Sequence, residues 1–249
     1  MRFRQLLPAH GAVEVETLLE RLEPGAGGPD DRPRVAVNFV ASSDGHITFG
    51  GRSSRLGDEG DHAMFHGLRE RFDALLAGTG TMRVERYGRA LGDPERRRRR
   101  EARGEPPEPL VCLISPSGEL PLDIPLFDEA EARVVVFSPR RVPAPSWRAQ
   151  VEQILLDPED PPLAAALRRL RGDFGIQAVL CEGGPTLFGA LLAEGLVDEL
   201  FLTLAPVLTG GSGPSISRGL ELPLPLNLEL AWLLERNNYL FLRYVRTHT

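Results

Sequence analysis

Glu182, Gly183 and Gly184, inside CEGGPTLFG (181–189), place a carboxylate and two glycines between an apolar run, 176–180, and a stretch of helical spacing. Glycine lets the backbone approach a ligand, and a helix N-terminus offers free N–H groups and partial positive charge, so such a corner suits a phosphate. Pro185 is preset for a first helical turn, Thr186 adds a hydroxyl donor, and Leu187 begins the apolar helix face. In DALLAGTGTMR (73–83), Gly78, Thr79, Gly80 and Thr81 repeat the pattern of short apolar run, glycine turn and helix. One corner of this kind is more readily a tight connection. Two in one chain point to a dinucleotide whose phosphates lie across strand ends. The GxGxxG fingerprint is absent, so the nucleotide fold is not the Rossmann one.

Other polar intrusions could meet the reacting partner. Asn38 interrupts the β-branched run RVAVNFVA (34–41), which ends on Ser42-Ser43-Asp44-Gly45. Either these residues line a ligand pocket, or Asn38 is a hydrogen-bonded core residue before an Asx-type turn. Glu182, just ahead of the phosphate corner, would lie beside whatever the cofactor reacts with and bind its polar groups. The competing reading is an ion pair with a nearby basic residue. His62 and His66 stand four apart without the HExxH glutamate, which fits a polar helix face better than a metal site, and no metal is expected. No Ser-His-Asp or Cys-His arrangement can be argued from spacing.

The elements that must position these residues follow from periodicity. The first 23 or so residues read as an arm carrying one short amphipathic helix, and EPGAGGPDDRP (23–33) reads as a linker. A single domain over 34–249 follows. Strands are expected at 34–41, 109–115, 132–138, 149–156 and 197–206, besides the short runs before the two glycine corners. Helices are expected at 58–72, 161–170 and 185–194, and 226–234 with 239–246 form a terminal antiparallel hairpin. Eight or nine strands and about four helices imply a three-layer α/β domain with a mixed sheet. The segment 89–109 is almost all Arg, Glu, Gly and Pro and reads as a solvated excursion.

Net charge −6 argues against general polyanion binding, because that affinity rests on many Lys/Arg contacts to phosphate. The run Arg96 to Arg100 alone invites a nucleic-acid or acidic partner, and its flanking glutamates favour a charged loop instead. Cys112 and Cys181 sit in apolar runs without a CxxC, so buried thiols in a reducing compartment are expected. With no apolar signal core and no stretch near ~18 apolar residues, a cytoplasmic location is expected.

Three segments, in this order, resemble the reductase family of riboflavin biosynthesis: VNFVASSDGHIT (37–48), DALLAGTGTMR, and VLCEGGPTLFGALLAEGLVDELFLTLAPVLTGG (179–211). The resemblance runs over most of the chain from Arg34 onward. It implies a dihydrofolate-reductase-like three-layer α/β domain, with a mostly parallel mixed sheet and a C-terminal antiparallel hairpin. It also implies a homodimer that moves hydride from NADPH to the ribosyl C1′ imine of a 5-amino-6-(ribosylamino)uracil phosphate. Carried over, Gly78, Thr79, Gly80 and Thr81 would hold the NADPH phosphates at one helix, and Gly183, Gly184, Pro185, Thr186 and Leu187 at the other. Ser115 and Arg83 would lie near the adenosine 2′-phosphate. Asn38, Ser43, Asp44 and Glu182 would line the substrate side, with Asp44 and Glu182 as the catalytic carboxylates.

The chain departs from that family where MRVERYGRALGDP (82–94) replaces an Asp-Asp-Pro loop, and the deaminase signature, HxE with PCxxC, is missing. Deamination is therefore excluded. The rival readings are reduction of a dihydrofolate-like pterin or other imine, and a non-enzymatic binder acting through Arg96 to Arg100.

Overall fold

The structure is a computed structural model that describes residues 1–143, 147–157, 159–160 and 162–247. In chain order the strands are β1 (Arg2–Leu7), β2 (Gly11–Glu14), β3 (Arg34–Ser42), β4 (Ala74–Gly78), β5 (Leu110–Ile114), β6 (Arg133–Ser138), β7 (Gln150–Leu155), β8 (Ala178–Cys181), β9 (Glu199–Ala205), β10 (Leu228–Arg236) and β11 (Tyr239–Arg246). The helices are α1 (Val15–Glu20), α2 (Glu59–Arg71), α3 (Thr79–Glu85), α4 (Pro94–Ala102), α5 (Pro162–Phe174) and α6 (Pro185–Ala193). The expected helix over 161–170 is α5; its Pro161 lies outside the described residues.

All the strands join one 11-stranded sheet in the order β2-β1-β10-β11-β9-β3-β8-β4-β5-β6-β7. From β9 to β7 neighbours run parallel, and β11, β10, β1 and β2 extend the sheet antiparallel. β3, β4, β5 and β8 read as continuous apolar runs because helices cover both faces. Leu68 of α2 and Phe72 just after it pack on one face with Ala36 and Phe201, while Leu167 and Leu170 of α5 and Leu191 of α6 pack on the other with Val35 and Val179. The result is the expected three-layer arrangement. The terminal hairpin is β10–β11, turned by Asn237 and Asn238 at positive φ.

Two local expectations are corrected. The N-terminal residues contribute a hairpin to the sheet, with β1 pairing β10, and only six residues of helix. Phe3 decides this: it is buried against Phe241 with ring centroids 4.8 Å apart, an alternation of period 2 that the leucines around it conceal.

The segment 89–109 is not a solvated excursion, because it contains α4, whose arginines are consumed inside the chain. Arg96 and Arg99 donate to the carboxylate of Glu70 at 2.7–2.8 Å, and Arg100, 1% exposed, donates to the carbonyls of Glu70, Phe72 and Pro106. Helix α2 ends here, so its orphan carbonyls need donors, and guanidinium groups supply them. Arg97 caps the carbonyls of Leu91 and Gly92, and Arg98 pairs with Glu95. All five arginines of the run have partners within the chain.

Candidate active site

The two glycine corners meet. β4 and β8 are adjacent parallel strands, so α3 and α6 start side by side at their C-terminal ends. The N–H of Gly78 donates to the carbonyl of Gly183 at 3.2 Å. Gly183 and Gly184 have φ of +95° and +41°, and a Cβ on Gly184 would lie 2.7 Å from Thr81 Oγ1. Glycine is required at these positions because L side chains rarely adopt such backbone and the corners pack too closely. Neither helix has a side-chain cap at its N-terminus, which leaves the first N–H groups for a ligand.

Both corners open into a cleft of about 1030 Å³, large enough for an extended ligand pair. Gly78, Thr79, Gly80 and Thr81 line it, as do Gly184, Pro185, Thr186 and Leu187. Gly183 does not; it is buried and its carbonyl ties the corners together. Towards β5, Ile114, Pro116 and Leu163 form an apolar end.

The opposite end lies between α2 and the strands β3, β8 and β9. Asn38 and Val40 line it from β3, and in the parallel register they stand opposite Phe201 and Thr203 of β9. Asp61, His62, Phe65 and Arg69 come down from α2, and Tyr87 follows α3. The Thr203 hydroxyl lies near the Asp61 carboxyl. Burial lifts the Asp61 carboxyl above its ordinary value, and the Thr203 hydroxyl opposes only part of that.

Glu182 lines this end in a fully committed state. Arg69 Nε and Nη2 donate to its two oxygens at 2.6 Å each, and the Tyr87 hydroxyl donates to Oε2 at 2.5 Å. The Arg69 guanidinium lies 4.2 Å from the centroid of the Phe65 ring. Burial works against the Arg69 charge, and the adjacent Glu182 carboxylate more than offsets it, so the guanidinium stays firmly protonated. Burial, and then the Glu182 charge, push the Tyr87 phenol well above its usual range. Of the two readings of Glu182, the ion pair is the one formed.

Several sequence-expected residues stand off the cleft, each for a visible reason. Ser43 donates its hydroxyl to the carbonyl of Ala205 at 2.8 Å. The Asp44 carboxylate accepts from the Ser42 hydroxyl at 2.5 Å and from the N–H of Thr209 and Gly210 at 3.1 and 2.7 Å. These donors, the Ser42 hydroxyl foremost, hold Asp44 well below the usual carboxylate range. Asp44 is an anchor for the loop after β9, a loop whose Pro214 returns to line the cleft.

Ser115 is 1% exposed and donates to the carbonyl of Glu119, which makes it a turn residue. Arg83 is solvent-exposed, whereas Arg86, one turn on, lines the cleft. Arg69 and Tyr87 were missed in the sequence. The signal for Arg69 was present, since Phe65 and Arg69 are four apart on the apolar face of α2; Tyr87 had none.

The RibD C-terminal domain family matches residues 33–239. A 2,5-diamino-6-ribosylamino-4(3H)-pyrimidinone 5′-phosphate reductase of Archaeoglobus fulgidus is 30% identical over 76% of this chain and 87% of its own length. The corresponding protein of Methanothermobacter thermautotrophicus is 29% identical over 72% of this chain and 81% of its own. A solved pyrimidine reductase-like protein from Corynebacterium diphtheriae superposes with a TM-score of 0.79 at 25% identity, covering 95% of this chain and 100% of that one. With the corners joined as described and the dihydrofolate-reductase-like layers around them, the chain belongs to the RibD C-terminal domain family.

Proposed function

We propose that the chain reduces a ribosylaminopyrimidine 5′-phosphate with NADPH, at the ribosyl C1′ imine, as a step of riboflavin biosynthesis. The observation that carries the reading is the hydrogen-bonded pair of glycine corners, which brings two uncapped helix N-termini to one cleft. That arrangement suits the two phosphates of a dinucleotide. The relatives' names supply the substrate class. When bound, the cofactor supplies the hydride; the chain's task is to hold two ligands in contact and keep water out.

In this reading Gly78 to Thr81 and Gly184 to Leu187 grip the cofactor, and Gly183 fixes their spacing. Arg86, a cation on the cleft rim beside the carbonyl of Asp123, takes the place of Arg83 and Ser115 in selecting the 2′-phosphate of NADPH. Asn38 meets the substrate at the other end. Glu182 holds the Arg69 guanidinium and the Tyr87 hydroxyl in one orientation there, so that the remaining N–H groups of Arg69 bind the substrate's oxygen atoms and the Tyr87 oxygen accepts from its donors. Asp44 acts through the loop it anchors and takes no part in proton transfer. The chain works in the cytoplasm, in keeping with two free buried thiols, and as a homodimer. No helix among the described residues is long and apolar enough to cross a membrane.

The test is NADPH oxidation, followed by its absorbance, with a ribosylaminopyrimidine phosphate and with dihydrofolate side by side. Turnover of the first, with deuterium from labelled NADPH found at C1′ of the product, is expected. Turnover of dihydrofolate alone would overturn the reading.

A further inference from the structure

Among the described residues, Asp61 is the cleft-lining carboxylate whose oxygens accept no hydrogen bond within 3.5 Å. Glu182 is taken by Arg69 and Tyr87, Glu85 by the N–H and hydroxyl of Ser53, and Glu194 by the N–H of Ala164. Asp61 has the Thr203 hydroxyl nearby, and the charged groups beside it are His62 and Asp58. Since Asp58 already caps the N–H of Asp61 and pairs with Arg236, it offers Asp61 no donor. A half-buried carboxylate facing a cleft with open lone pairs is completed by a ligand that brings donors.

The position of Asp61 says which part of the ligand that is. It stands near Thr203 on β9, two residues along from Phe201, the register partner of Asn38 on β3, at the end of the cleft away from the apolar wall of β5. Phe65, four residues on, supplies a flat face beside it. An aromatic ring lying there would turn an edge toward the carboxylate. A 2-amino-4(3H)-pyrimidinone presents its 2-amino group and the adjacent N3–H, two parallel donors for two carboxylate oxygens. A uracil-type ring presents a carbonyl oxygen where that amino group stood, and two acceptors then face each other without water between them.

We propose that Asp61, on the cleft wall beside Asn38 and Phe65, reads the amino edge of the pyrimidine and gives this chain its preference for a 2-aminopyrimidinone over a uracil-type ring. The inference rests on the ribosylaminopyrimidine reading above. It makes Asp61 a specificity-determining residue, with no part in the hydride step.

The experiment compares kcat/KM for 2,5-diamino-6-ribosylamino-4(3H)-pyrimidinone 5′-phosphate and for 5-amino-6-(ribosylamino)uracil 5′-phosphate. Kd values for the two corresponding ribitylamino 5′-phosphates are measured in parallel by calorimetry with NADP⁺ present. The wild-type chain is expected to favour the 2-amino ring by about 10- to 100-fold in both measures. Asp61→Asn, whose amide offers one donor and one acceptor, is expected to reduce that ratio at least about tenfold, chiefly by improving its fit to the uracil-type ring. Thr203→Val is expected to reduce it less, and serves if Asp61→Asn fails to fold.

A wild-type ratio near one, a preference for the uracil-type ring, or an equal loss on both rings in the variants would overturn the assignment while leaving the reductase reading intact. Unequal binding of the two rings without reduction of either would sink the reaction and keep the assignment. Binding of neither ring would sink both.

Discussion

The backbone N–H of Gly78 donates to the carbonyl of Gly183, so two corners far apart in the chain form one platform across the β4–β8 ladder. Gly184 completes that platform at positive φ against Thr81. Gly184→Ala forces a side chain into both constraints and should cost about 1–2 kcal/mol of stability. NADPH affinity should weaken by about tenfold or more if, as proposed, the displaced amides face its phosphates. Thermal unfolding and quenching of NADPH fluorescence measure the two effects. An unchanged NADPH Kd in a folded variant would count against the platform.

The Arg69–Glu182 pair is buried, with side chains 9% and 1% exposed, and its geometry is bidentate. Removing one partner of such a pair leaves a charge without water or counterion. Arg69→Ala should therefore destabilise the chain by about 3–5 kcal/mol in urea unfolding, whereas Arg69→Met combined with Glu182→Gln should lose much less. Equal losses from the single and double variants would show that packing, and not the stranded carboxylate, sets the cost.

Asp44 ties its turn to the loop after β9 through the N–H groups of Thr209 and Gly210. Asp44→Ala should speed hydrogen exchange at those two amides and raise KM more than it lowers kcat, because the loop places Pro214 on the cleft. The pH sense is fixed by the shift. Asp44 sits below its ordinary value of 3.8 in the folded chain, so its contribution is complete above that pH and is lost as pH falls further. The gap between wild type and variant should stay constant from pH 5 to 8. A kcat collapse at unchanged KM would restore Asp44 as a catalytic group.

Glu70 gathers Arg96, Arg99 and Arg103. Burial opposes its charge, and Arg99 and Arg96 outweigh that, holding its carboxyl below the ordinary 4.5. Glu70→Ala should cost about 1–3 kcal/mol, partly restored by added salt, and leave NADPH affinity unchanged. Denaturant titrations at two salt concentrations check this. A salt-independent loss would make the cluster a packing feature only.

Asp61 pays in stability for its open lone pairs. Its folded-state value lies above the ordinary 3.8, so the buried charge destabilises the chain once pH exceeds that folded value, and the penalty vanishes below about 3.8 where the group is protonated in both states. Asp61→Asn should raise Tm by a few degrees at pH 7 to 8, with the gain shrinking toward pH 4. A Tm gain that does not depend on pH would separate it from the carboxylate's charge.

Periodicity placed β3 to β9 and the terminal hairpin because apolar runs of four to nine residues between turn formers have little choice but to pair. It failed at β1, where a single phenylalanine carries the alternation, and at α4. There the composition reads as disorder until Glu70 and the open carbonyls at the end of α2 are known to lie against it.

The sequence alone determined the layers, the mixed sheet and the two glycine corners, since each depends on local residue order: glycines between an apolar run and a helix, proline at a first helical turn, β-branched runs. The tertiary structure decided which polar side chains face the cleft. Glu182 was bound by Arg69, Asp44 was drawn to the loop after β9, and Asp61 was left open beside Thr203. A carboxylate's role follows from the donors that reach it, and Arg69 reaches Glu182 across 113 residues and Gly210 reaches Asp44 across 166.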